Sequence, residues 1–168
     1  MNIFCNPRIT KWTGLQKLLN IDTSEEIEFG WNPSFENEDR HRTEIDMKIG
    51  ARIFESKLVE DSFYDQKKIV VERYANFHDV FDSSFLQCNE THYYNYQLIR
   101  NILTAYTYNY SFSILVDRTR TDLIRSLLEV VKAIKDPQLR KHISFFTWQE
   151  IANVCGAELR EYLEKKYF

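Results

Sequence analysis

The chain has 168 residues, 43% of them apolar and 28% charged, with a formal net charge of −3, which fits one soluble globular domain over residues 1–168. That charge excludes a protein that wraps nucleic acid through bulk positive charge alone, though not one with local basic patches. Cys5, Cys88 and Cys155 form no CxxC pair and no window nears about 18 uncharged apolar residues, so the expectation is a cytoplasmic protein with no disulfide framework, zinc site or membrane span.

Trp12, Leu15, Leu18 and Leu19 recur at helical spacing and predict a helix over 10–20 with Thr10 as its cap. Ile27, Phe29 and Trp31 alternate with Glu26, Glu28 and Gly30, the pattern of a half-buried strand over 26–31. Residues 32–42, with Pro33 and many charges, read as a solvated loop. Two alternating runs then flank Gly50-Ala51 within residues 43–58. Glycine at the first central position suits a type II′ hairpin turn, whose twist matches the strands it joins.

With Gly50 and Ala51 in the turn, Ile49 lies opposite Arg52, Asp46 opposite Glu55, and Glu44 opposite Lys57. Directly opposed residues have Cβ atoms about 4.5–5.5 Å apart, so the two acids repel unless a cation lies between them. Ile45, Met47, Phe54, Ser56 and Leu58 are expected on the other face.

Beyond the hairpin, Val70, Tyr74, Phe77 and Phe81 predict a helix over 65–81, and a third helix is expected over 92–109. Tyr94, Leu98, Ile102 and Tyr106 mark the expected buried side of that third helix, and Gln97, Asn101, Thr104 and Tyr108 form a separate polar stripe. A strand over 111–116, a helix over 121–134 closed by Pro137 and a strand over 142–146 follow. Thr147 and Glu150 match a capping box, and Gly156 precedes a final helix. This order predicts an α/β fold, a mixed central sheet flanked by helices.

The chemistry concentrates in Asp46, Glu55 and Lys57. Two hard oxygen ligands can hold Mg²⁺ or Mn²⁺, ions that keep several waters and take one or two carboxylates plus a substrate phosphate. Lys57, two residues past Glu55 and on its face, could orient an attacking water or stabilise charge on a phosphoryl oxygen. Each part has a role in phosphodiester hydrolysis.

Asp46 followed on the next strand by Glu55-Ser56-Lys57, with apolar neighbours Ile45, Met47, Ile53, Phe54 and Leu58, resembles the PD-(D/E)XK nuclease superfamily. Glu60 and segments 96–101, 113–116 and 146–150 look like one restriction-type branch of it, so the resemblance covers residues 43–165. It implies a restriction endonuclease-like core of α-β-β-β-α-β order and a metal-dependent endonuclease acting on DNA. It further implies Mg²⁺ (or Mn²⁺) held by Asp46, Glu55 and the Ser56 main-chain carbonyl, with Lys57 beside the attacking water. Gln97 matches a polar position on a later helix. The chain departs from the family in having no acid over 10–20, so an extra carboxylate would come from Glu44, Glu25, Glu26 or elsewhere, and in having Ile45 where the family often has proline.

Plainer readings stand beside these. Glu44 and Lys57 can be a cross-strand ion pair worth a few tenths of a kcal/mol. His41, His78, His92 and His142 are scattered, and the cysteines read as inert. Gln97 and Arg100 are balanced between helix surface and site wall, while Tyr93-Tyr94-Asn95-Tyr96 could stack bases but reads first as core. Two functions remain in view: a metal-dependent nuclease, or a catalytically silent nuclease-like fold serving as a nucleic-acid-binding or protein-assembly module. Whether two copies pair as a homodimer to cut both strands is left open.

Overall fold

The computed structural model describes residues 3–5, 9–33, 44–58 and 60–167, so most of the loop expected over 32–42, including His41, lies outside the described residues. The first helix, α1 (Thr13–Leu19), is shorter than periodicity predicts. Thr10 is not its cap: it lies buried in a 3-10 turn over Ile9–Lys11, its carbonyl accepts Gln16 Nε2 at 2.6 Å, and Trp12 takes the cap position without a side-chain bond.

Strand β1 (Ile27–Trp31) pairs antiparallel with β2 (Ile45–Ile49), Ile27 opposite Ile49 and Trp31 opposite Ile45. β2 in turn pairs antiparallel with β3 (Arg52–Ser56), with Ile49 opposite Arg52 and Met47 opposite Phe54. This is the register expected of the Gly50-Ala51 turn. Gly50 has φ +53, the left-handed region that favours glycine, and a Cβ there would displace the end of the Glu25 side chain. Gly30 also has a left-handed φ, +60, and past it alternation breaks. Ile27 packs with Met47 and Ile49, whereas Trp31 and its partner Ile45 join the core on the opposite face of the sheet. Ile45 is thus not on the Met47 side, as simple alternation predicts.

Residues 65–81 do not form one helix. Gln66–Lys67 is a short strand, β4, and two one-turn helices follow, α2 (Lys68–Val71) and α3 (Phe77–Val80). The cause is non-local: β4 pairs with β5 (His92–Tyr93), and the Tyr93 hydroxyl donates to Glu72 Oε1 at 2.8 Å. The same pairing delays the next helix, α4 (Tyr96–Tyr108), which begins after Asn95 at φ 60 and ends at Asn109 at φ 55. Strand β6 (Ser111–Val116) occupies its expected span, followed by α5 (Thr121–Lys132). Pro137 does not merely close that segment; it opens α6 (Pro137–Lys141), with Asp136 as cap. Strand β7 (Ile143–Thr147), α7 (Trp148–Val154) with the expected capping box, and α8 (Ala157–Tyr167) complete the chain.

The sheet order is β1-β2-β3-β6-β7, antiparallel across the first three strands and parallel from β3 to β7. One core lies between the sheet and α4 and α5, built on residues such as Leu98, Ile102, Phe112, Ile114 and Leu127. The other joins the sheet to α1 and α7 through Leu15, Leu19, Phe54, Leu115 and Trp148. β3 is the middle strand, covered on both faces, and its end is where the acids and the lysine lie. Among the described residues no helix is long and apolar enough to cross a membrane.

Candidate active site

Glu55 projects from β3 toward α4 and is 2% exposed; Lys57, one residue beyond the strand, is 4% exposed. The backbone of Lys57 is held at both ends, its N–H donating to the Leu115 carbonyl of β6 at 2.8 Å and its carbonyl accepting Trp148 Nε1 at 3.1 Å. Trp148 is itself fixed as the first residue of α7 by the Thr147–Glu150 capping box. Two elements distant in sequence, β6 and α7, therefore fix one lysine.

The Lys57 ammonium lies 3.1 Å from Glu55 Oε1 and donates to Gln97 Oε1 at 2.9 Å. Gln97 Nε2 donates back to Glu55 Oε1 at 3.0 Å, so the amide bridges acid and base. On the other carboxylate oxygen, Glu55 Oε2 accepts Asn101 Nδ2 at 2.8 Å, from a side chain with 0% exposure. Asn101 lies one turn along α4 from Gln97, and its Oδ1 accepts Arg100 Nε at 3.2 Å. Arg100 Nη2 also donates to the Glu44 carbonyl at 3.1 Å, tying the start of β2 to the helix.

Asp46 sits on the outer, solvent-facing side of this group. Its Oδ2 accepts the Ser56 N–H at 2.7 Å, a bond between adjacent strands that aims the carboxylate at the end of β3. Desolvation by the protein around it pushes the Asp46 carboxyl above the ordinary range although its face is open; the Ser56 N–H and the Lys57 charge pull it back, and the Glu60 charge adds to the rise. Glu55 is likewise raised, by burial and then by the charge of Asp46, against the pull of Lys57 and Asn101. The two acids thus act on each other.

Of the expected site residues, the structure brings Asp46, Glu55, Ser56, Lys57 and Gln97 together. It does not form the Glu44–Lys57 pair: Lys57 turns inward to Glu55 past the end of β3, and the Glu44 carboxylate lies beside Gly30. Sequence reading missed Asn101, although the polar stripe of Gln97, Asn101 and Thr104 was visible. Asn101 and Thr104 are both fully buried, so the stripe faces the sheet rather than solvent. Tyr94 and Tyr106, expected on the buried side, are 36% and 42% exposed. Among the acids suggested as an extra carboxylate, Glu25 lies under the hairpin turn; Glu60, not named among them, acts on Asp46 through its charge and accepts the Leu58 N–H at 2.9 Å.

Among the described residues no group of three or more His, Cys, Asp or Glu side chains converges to hold a metal ion. What converges is a carboxylate pair whose charges oppose each other, with one acid buried and the other open. Such a pair fits a Mg²⁺-like ion, which keeps most of its water and needs one or two carboxylates, and does not fit a closed four-ligand zinc site. The cysteines are no part of it: Cys5 and Cys88 are exposed, Cys155 is free, and burial pushes the Cys155 thiol up to about 11.

The profile of the family described as Restriction Endonuclease associating with ARP matches residues 1–168. Neither the curated proteins nor the solved structures gave a match.

Proposed function

Since the chain belongs to this restriction endonuclease-associated family, and its mixed five-stranded sheet agrees with a restriction endonuclease-like fold, we propose that it is a metal-dependent endonuclease that hydrolyses phosphodiester bonds in DNA. The observation that carries the reading is the buried Lys57 ammonium, set between Glu55 and Gln97 at the strand end where Asp46 faces solvent.

Asp46, Glu55 and the Ser56 main-chain carbonyl would hold the ion. When bound, a Mg²⁺ or Mn²⁺ ion polarises the phosphate and lowers the pKa of a water molecule it carries. Lys57 supplies three donors on a compact charge, and with one turned to Gln97 and one to Glu55 it keeps a third for the attacking water or a phosphoryl oxygen. Gln97 and Asn101 grip both oxygens of Glu55, so its carboxylate is oriented before substrate arrives. Burial of the Glu55–Lys57 pair keeps bulk water from screening that charge.

A second reading is supported by the closure of the same network. Glu55, Lys57, Gln97 and Asn101 already satisfy one another without a cation, and the family's description is of an endonuclease that associates with a partner. On that reading the fold serves as a binding or assembly module. A Mg²⁺ and Mn²⁺ titration followed by melting temperature and by nicking of supercoiled plasmid separates the two. The nuclease reading expects both signals in the wild type and neither in Asp46→Ala; a flat melting temperature with no nicking in either protein leaves only the module.

A further inference from the structure

Tyr64 has a backbone that its residue type does not favour. Its φ is +50, a left-handed conformation rare for a bulky side chain, and strain of this sort collects where a ligand is handled. Burial does not explain it, because Tyr64 is 60% exposed. What holds it is the start of α4: the Tyr96 N–H donates to the Tyr64 carbonyl at 2.7 Å, and the Gln97 N–H to the Phe63 carbonyl at 3.0 Å. The helix end that delivers the Gln97 side chain to Lys57 therefore also sets the position of Tyr64.

The ring it positions borders the site. The Lys57 ammonium lies 5.6 Å from the Tyr64 ring centroid and 5.3 Å from that of Phe63, which is fully buried. Phe63 flanks the lysine from the interior, and Tyr64 flanks it from the surface. An exposed aromatic ring next to a cation that meets a phosphate is the pairing used for single-stranded nucleic acid, since every base offers a face to stack.

We propose that Tyr64 is the stacking platform for an unpaired nucleobase of the DNA substrate, adjoining the phosphate held at Lys57. The placement of that phosphate rests on the nuclease reading above. A base inside a continuous duplex has both faces covered by its neighbours, so the platform selects a substrate whose bases are free next to the cut: a single strand, or a single-stranded stretch beside a duplex.

Binding of labelled single-stranded oligonucleotides to the full chain in chelator, where cleavage plays no part, tests this. A normal oligonucleotide is compared with a fully abasic one of the same length and charge. The wild type should prefer the normal oligonucleotide roughly tenfold. Tyr64→Asn, whose residue accepts a left-handed φ, should keep the melting temperature and lose the preference; Tyr64→Trp should retain it. Quenching of a 2-aminopurine base by the wild type gives a readout that needs no variant. A wild type with no base preference, no quenching, or a preference that survives Tyr64→Asn overturns the proposal. If preference and quenching are present while Mg²⁺ and Mn²⁺ give no cleavage, the nuclease reading fails and the stacking platform stands.

Discussion

Phe54 and Glu55 are consecutive residues of β3, 0% and 2% exposed, and they face two differently built halves of the molecule. Phe54 packs with Met47, Ile49, Leu115 and Trp148 in a cluster of apolar side chains. Glu55 faces Lys57, Gln97 and Asn101, a polar network set into the α4 core. Burying an apolar ring stabilises a fold outright, whereas a buried ion pair recovers its lost hydration only through good geometry and further hydrogen bonds. The chain meets that requirement with an amide on each oxygen of Glu55, yet both acids remain pushed above their ordinary range. One face of β3 holds the fold together, and the other holds charge in place.

Substitutions on the two faces should therefore fail in different ways. Phe54→Ala should lower stability by about 3–5 kcal/mol in a denaturant melt, since it deletes a fully buried ring. Across the strand, Asn101→Ala deprives Glu55 Oε2 of its donor and should cost about 1–3 kcal/mol. Unlike Phe54→Ala, it should also reduce Mg²⁺ affinity in calorimetry, because Glu55 loses its orientation. An apolar side chain of greater loss to stability with intact metal binding, and a polar one with the converse, would sharpen the contrast; the reverse pattern would break it.

The pH dependence of the metal-free protein has a definite sign. Asp46 and Glu55 are raised by folding, so the stability they contribute is present below the ordinary carboxylate range and lost as pH climbs through their raised values. Asp46→Asn removes one of the opposed charges and its titration. The melting temperature of Asp46→Asn relative to wild type should therefore rise with pH, measured in chelator across the acid-to-neutral range. Added Mg²⁺ should reverse the order, stabilising only the wild type. A difference that stays constant with pH would show that the two acids are not opposed.

The smallest effect is expected furthest from the charges. Thr147→Ala removes the α7 capping box and should cost about 1 kcal/mol. Because α7 begins with Trp148, whose indole N–H holds the Lys57 carbonyl, the same variant should slow plasmid nicking by a few-fold if the lysine backbone is fixed as described, taking a loss of about 1 kcal/mol at the lysine as the scale. An unchanged rate would place the whole effect in stability.

Most of this site could be read from the sequence because it is built on a hairpin. A two-residue turn at Gly50-Ala51 fixes register, and register alone brings Asp46 to the Glu55-Ser56-Lys57 strand end. Asn101 was not legible as a site residue, since a polar stripe on a helix looks alike whether it meets solvent or a buried carboxylate. Only the placement of α4 over β3 separates the two. The break in residues 65–81 was hidden for a similar reason: its cause is the pairing of β4 with β5, far along the chain, against a local spacing that favours helix. Ile45 joins the α4 core with its partner Trp31, a membership that two-residue alternation along β2 does not reveal. Local patterns located the chemistry, and non-local contacts decided what supports it.

On the proposed function, the polar face of β3 is arranged for cleavage, with Lys57 acting on the reacting groups rather than holding the ion. The most direct measurement is the single-turnover rate of cleavage of supercoiled plasmid and of single-stranded DNA by Lys57→Ala against wild type at saturating Mg²⁺, on whichever substrate the wild type cuts faster, in protein that retains its metal-induced rise in melting temperature. A loss of about 10²–10³-fold is expected if Lys57 acts on the reacting groups. Equal rates would contradict it.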